Sequence, residues 1–213
     1  MTPELAAIAL AIAASPFPII PAILLLFTPR PRTTTGGFLL GWVLGIIVAT
    51  TAFAAVMALV EPRDETPAWV SWTRISLGVL LILVGVWQWA TRRAKESAPA
   101  WMKAINDATP ASALRLGLLL SGANPKVLLL TAAGGLEIDS TGLSRTGIVI
   151  TIALFAAVAA STVSIPLVLY AVMGERMLGP LGRAKDWLGL HNAAVMAIVI
   201  TVIGVYLMVK GFR

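Results

Sequence analysis

Cysteine is absent from the 213-residue chain, and histidine occurs once, at His191. No disulfide, thiolate metal site, haem attachment or dithiol redox pair can therefore form. Acidic residues are scarce as well: ten Asp and Glu stand against sixteen Lys and Arg, and charged residues together make up 12% of the chain. A soluble domain carries about 25%. With 58% hydrophobic residues and a mean hydropathy of +0.90, this composition excludes a water-soluble enzyme and a disordered segment. The pI near 10.3 would suit a nucleic-acid binder, but such a protein spreads Lys and Arg over a wet face. Here they gather in short stretches between apolar runs. The composition is that of an all-α integral membrane protein.

A membrane-spanning helix needs about 20 mostly apolar residues. Six stretches qualify between the charges: 5–27, 33–60, 75–91, 116–136, 146–174 and 188–209. The fourth is interrupted by Lys126, and the third is short enough to use Thr73, Arg74 or Arg92 as snorkelling ends. Only short loops remain, so residues 1–213 are expected to form one polytopic membrane domain. The first stretch has Glu4 and no basic residue before it, and is read as a retained span rather than a leader. The loops after spans one, three and five hold ten Lys and Arg, among them Arg30, Arg32, Arg92, Arg93, Arg115, Arg176 and Arg183, against five on the other side. The excess of positive charge marks the cytoplasmic side, which places both termini outside.

Six spans divide into two halves of three, about 1–95 and about 112–213, joined by a cytoplasmic linker at about 92–113. Pro21-Ala-Ile-Leu-Leu-Leu in span one matches Pro125-Lys-Val-Leu-Leu-Leu in span four, and Gly85-Val86-Trp87 in span three matches Gly204-Val205-Tyr206 in span six. Halves with an odd number of spans lie inverted in the membrane, as in many transporters. Turn-prone residues precede both leucine runs: Ser15, Pro16 and Pro18 in one, Ser121, Gly122 and Asn124 in the other. A proline inside a helix cannot donate to the carbonyl four residues back. Pro16, Pro18 and Pro21 would free the carbonyls of Ile12, Ala14 and Phe17, and Pro125 that of Ser121. In hydrocarbon such backbone is tolerated only inside protein or beside a wet cavity. Either span one is merely kinked and repaired by hydroxyls, or spans one and four are discontinuous helices that meet near the midplane and line a substrate cavity.

Lys126 falls in the middle of span four, where a charge is costly and marks a functional site by default. The sequence places no Asp or Glu within a span, since Glu4, Glu61 and Glu137 stand at ends, so Lys126 is left with freed carbonyls, Asn124, hydroxyls, water or an anionic substrate. The same scarcity speaks against a carboxylate proton relay and against bound metal, which wants carboxylate, His or Cys. Gly37, Gly41 and Gly45 repeat every four residues and mark a close helix contact, and Ala153, Ala156, Ala157, Ala160 and Ser164 suggest another on span five. Several Trp residues near span ends (Trp69, Trp72, Trp87, Trp89, Trp101) fit interfacial anchors. Ser121-Gly122 with His191 gives a faint echo of an intramembrane serine protease, but Leu119 occupies the first glycine position of that motif.

The run Ser-Pro-Phe-Pro-Ile-Ile-Pro-Ala-Ile-Leu-Leu-Leu-Phe-Thr-Pro-Arg-Pro-Arg (15–32), then Gly-Phe-Leu-Leu-Gly-Trp (37–42) and Asn-Pro-Lys (124–126), resembles the glycolipid-addressing (GAP) family of the lysine-exporter superfamily of six-span transporters. The likeness extends over essentially the whole chain in span order. It implies an actinobacterial plasma-membrane protein that helps move envelope glycolipids outward. Superfamily members also export amino acids, metal ions and other small solutes. The expectation is thus a non-enzymatic exporter without cofactor or resident metal. Its site would comprise Lys126, Asn124, Pro125, Ser121, Ser15, Pro16, Pro18 and Pro21, with Arg30 and Arg32 at a cytoplasmic mouth. A small-solute exporter and a non-transporting assembly factor for envelope lipid synthesis are the alternatives. Expected partners are the bilayer, a glycolipid or small anionic or polar substrate, envelope-biosynthesis proteins and a second copy of the chain, with no nucleic acid. No phosphate-binding loop of the Gly-x-x-x-x-Gly-Lys-Ser/Thr type occurs, so the energy would come from a gradient, a partner or the substrate itself.

Overall fold

The computed structural model of the protein describes residues 1–58, 68–90, 108–139 and 141–211, and these described residues contain eight α-helices and no strand. Helix α1 (Pro3–Ala13) opens under Thr2, whose hydroxyl accepts the Leu5 N–H at 3.2 Å. Ser15 precedes Pro16 and is extended (φ −75°, ψ 117°), because the following proline ring disfavours the helical region. The chain restarts as α2 (Pro16–Leu25), bent by 50° from α1. Helix α3 (Pro31–Ala58) starts from the Arg30 carbonyl, which accepts both the N–H (3.0 Å) and the hydroxyl (2.8 Å) of Thr34. Helix α4 covers Ala68–Ala90. Helix α5 (Pro110–Gly122) begins with a reciprocal cap between Thr109 and Ser112, and α6 (Pro125–Asp139) follows at an angle of 66°. Helix α7 (Arg145–Met173) is capped by Ser144. It passes through one 3-10 turn at Gly174–Met177, where Gly174 takes φ +64°, into α8 (Leu178–Gly211).

By length and composition, the stretches Pro31–Val56 and Arg145–Leu188 can each cross a membrane, and so can each bent pair if it forms a single broken span. The protein is membrane-embedded and all-helical. The linker expected at about 92–113 falls largely on 91–107, outside the described residues, as do Glu61, Arg63, Arg92, Arg93, Lys95, Trp101 and Lys103.

The direction of each helix follows from its contacts. Gly37 lies against the Pro110 carbonyl, Gly41 against Leu114 and Gly45 against Ser121, so α5 runs parallel to α3 from the end that carries Arg30 and Arg32. Gly117 returns the contact against Phe38 and Trp42. Without side chains at these glycines the two backbones approach closely. Helix α6 continues along the far half of α3, where Gly135 meets Phe53 and Ala54. Leu5 of α1 reaches Gly134 of α6 in that far half, whereas α2 ends six residues before α3 begins and so shares the arginine end with α5. The main core lies among these arms and α7, around Leu5, Ile12, Phe38, Trp42, Leu130 and Phe155. A smaller cluster, Ile23 and Leu26 with Leu181, Tyr170 and Met177, fastens the end of α2 to the start of α8.

Three sequence readings change here. Pro16 and Pro18 occupy the first turn of α2, where backbone N–H groups lack an intrahelical partner in any case. Only Pro21 lies inside the helix, and the Ile12 carbonyl, expected to be freed, accepts the Ser15 N–H at 3.1 Å. Second, the residue that opens a helix after the first break, as Pro125 does after the second, is Pro16 and not Pro21. Third, α6 runs on through Glu137, which is only 8% exposed, so a carboxylate is buried within a helix of the broken pair. On α7 the buried face is Ile152, Phe155, Ala156, Ala159, Ala160 and Val163, while Ala153 and Ala157 are exposed.

Candidate functional site

The two breaks are built differently. At the first, Ser15 is 1% exposed and Pro16, Pro18 and Pro21 are buried. The Ala13 carbonyl, left at the end of α1, accepts a short hydrogen bond from the Thr162 hydroxyl of α7. Pro166, one turn further along α7, is carried within an unbroken helix. At the second break the Ala123 N–H closes α5 onto the Leu119 carbonyl at 2.8 Å. The side chain of Asn124 then accepts the Lys126 N–H at 3.0 Å and so caps α6. Gly122, Ala123 and Pro125 are exposed. The Asn124 carbonyl oxygen in its side chain thus already serves the local backbone.

Between the breaks lies an open cavity, a groove of about 450 Å³, lined by Phe17 of α2, Leu119 and Leu120 of α5, and Ala123, Asn124 and Pro125 of the second break. That volume falls within the roughly 300–1,000 Å³ usual for ligand sites. Of the residues singled out from sequence, Asn124 and Pro125 reach it. Ser121 does not: it is fully buried against Gly45, and its hydroxyl donates to the Gly117 carbonyl at 2.8 Å and the Leu118 carbonyl at 3.2 Å. Lys126 is the second residue of α6, next to the lining residue Pro125, and is 5% exposed. Ser15, Pro16, Pro18 and Pro21 are buried and are not part of its lining.

Arg30 and Arg32 are exposed at the arginine end. Arg115, counted from sequence among the loop charges, lies inside α5, exposed, and one helical turn before Leu119. The signal that would have found it is Thr109-Pro-Ala-Ser112, a helix start placed six residues before the apolar run. His191 stacks on Trp187 and its Nδ1 donates to the Trp187 carbonyl at 2.9 Å, so Ser121 and His191 each bond elsewhere. Among the described residues no three His, Asp or Glu side chains gather into a metal-binding group.

No curated protein and no solved structure matches the chain. The family described as Sap, sulfolipid-1-addressing protein (SfLAP), matches residues 5–213. Two broken apolar helix pairs around one cavity, in a chain whose resemblance already pointed to glycolipid addressing, thus belong to a membrane protein of the SfLAP family.

Proposed function

We propose that this protein is an exporter that moves an anionic, lipid-like substrate, of the kind its family's name indicates, outward across the plasma membrane. The observation that carries the reading is the convergence of both breaks on one cavity: Phe17 comes from the first, and Ala123, Asn124 and Pro125 from the second. Discontinuous helices meeting at a site between repeats are how many secondary transporters hold their substrates.

The six-span, inverted-repeat architecture is part of the proposal, and contacts between α4 and α8 support it. Gly78 faces Gly204, and Gly85 faces Ala197. If Gly85 is the counterpart of Gly204, then Gly78 is the counterpart of Ala197, and the two contacts are one contact made twice. The same holds for Gly85 against Thr201 and Gly204 against Ile82. Helix partners follow the same scheme: α3 packs on α5 as α7 packs on α1, and α3 on α6 as α7 on α2.

In this reading Lys126 supplies the positive charge that an anionic headgroup meets as it passes the breaks, and both termini face outward. Purified protein in liposomes should translocate a labelled anionic glycolipid and not a labelled amino acid. Lys126→Met should lower that translocation to the protein-free rate while leaving the size-exclusion profile intact. Amino-acid movement without lipid movement would favour a solute exporter. No movement of either, with altered surface glycolipid in cells lacking the protein, would favour an assembly factor.

A further inference from the structure

The two arms of each broken span are unequally engaged. In the half away from the arginine end α1 packs along α6, with Leu5 against Gly134. In the arginine half the corresponding arms, α2 and α5, barely touch, and the cavity opens between them. The molecule is thus shut on one side of the breaks and open on the other.

The open side has a polarity of its own. Along α5, Arg115, Leu119 and Ala123 follow at intervals of four residues, which places them on one face. Arg115 is exposed, Leu119 is 62% exposed, and Ala123 is exposed at the break. Across the cavity Phe17 of α2 lines the facing side, and the chain beyond α2 leads to exposed Arg30 and Arg32. Positive charge therefore lies at the membrane-surface end of the cleft. The inner end is lined by Phe17, Leu119, Leu120, Ala123 and Pro125, with Asn124 the one polar lining residue among the described residues.

We infer that this cleft takes one acyl chain of an anionic lipid from the leaflet at the arginine end, with the chain between α2 and α5 and the headgroup at Arg115, Arg30 and Arg32. The lipid enters sideways, from the leaflet, because the cleft is open where an apolar chain already resides. Arg115 acts on the headgroup, and Leu119 on the chain. The inference rests on the reading of a lipid-like substrate, but it concerns occupancy and not movement.

The test uses the full-length protein in nanodiscs doped with phosphatidylglycerol that carries a photoactivatable group near its chain terminus. Phosphatidylcholine with the same chain is the comparison. Crosslinks are expected at Phe17, Leu119 or Leu120 and should favour the anionic probe. Arg115→Gln should reduce labelling by the anionic probe about fivefold, the effect of removing one surface cation, and leave the zwitterionic probe unchanged. Arg115→Lys should retain labelling, and Leu119→Trp should block it for both probes. Equal labelling by the two probes, or labelling concentrated on α1 and α6, would overturn the inference. Crosslinking at the cleft without translocation would remove the exporter reading and leave this one standing. Translocation without labelling at the cleft would do the reverse.

Discussion

The two broken spans share a design at the level of sequence, a polar residue followed by proline, yet they are held in place by different means. The first break is mostly packed: Ala14 is exposed, but Ser15 and Pro16 are buried, and the Ala13 carbonyl is bonded by Thr162 from a distant helix. The second is open: its residues are exposed to the cavity, its cap is its own Asn124, and its arm α5 is positioned by the glycines of α3. One break is therefore a fixed wall, and the other is the face on which the cavity opens. Proline can interrupt a helix alone, but the surroundings of the interruption decide whether it becomes wall or site.

Three substitutions would break or sharpen that contrast. The largest effect is expected from Gly41→Leu, since even a Cβ there meets the Leu114 carbonyl and the next turn of α5. Overpacking should cost about 3 kcal/mol, seen as a lowered Tm in detergent, and α5 should lose its register on α3. Next is Thr162→Val, which leaves the buried Ala13 carbonyl without its donor at a cost of about 1–3 kcal/mol. Thermal unfolding should show the loss, and Thr162→Ser should restore most of it. A Thr162→Val protein as stable as the parent would mean that the first break needs no repair by α7. The smallest is Asn124→Ala, where loss of a helix cap costs about 1 kcal/mol. Its effect on stability should be smaller than that of Thr162→Val. If it proves larger, the second break is the rigid one, and the contrast is reversed.

Much of this was legible in residues. The apolar stretches predict helices at 33–60 and 146–174; α7 occupies the second to within one residue at each end, and α3 begins two residues before the first. Ser15-Pro16 and Asn124-Pro125 lie where the helices break, because the restriction that proline imposes on its predecessor is local. Other features were not legible. Ser121 stands three residues before Asn124 and looked equally suited to the site, yet it turns towards Gly45. The apolar stretch 116–136 puts Lys126 at mid-span, but the break makes it the second residue of a new helix and buries it beside the cavity. The sequence places Glu137 at the end of a span, whereas α6 continues past it to Asp139. By the apolar pattern Arg115 is a loop charge, whereas α5 begins five residues before it.

Sequence by itself determined the solvent and the interruptions. Scarce charge and long apolar runs require a bilayer, since so little polar surface could not keep the chain in water, and prolines after polar residues set where two helices must stop. Only the tertiary structure decided which side of each interruption is filled. That depends on which neighbouring helix comes close enough, through a glycine face or a hydroxyl on another span, and residues 73 to 149 positions apart carry that information jointly. The division between a packed break at Ser15 and an open one at Asn124 is written in Thr162 and Gly45 as much as in the breaks themselves.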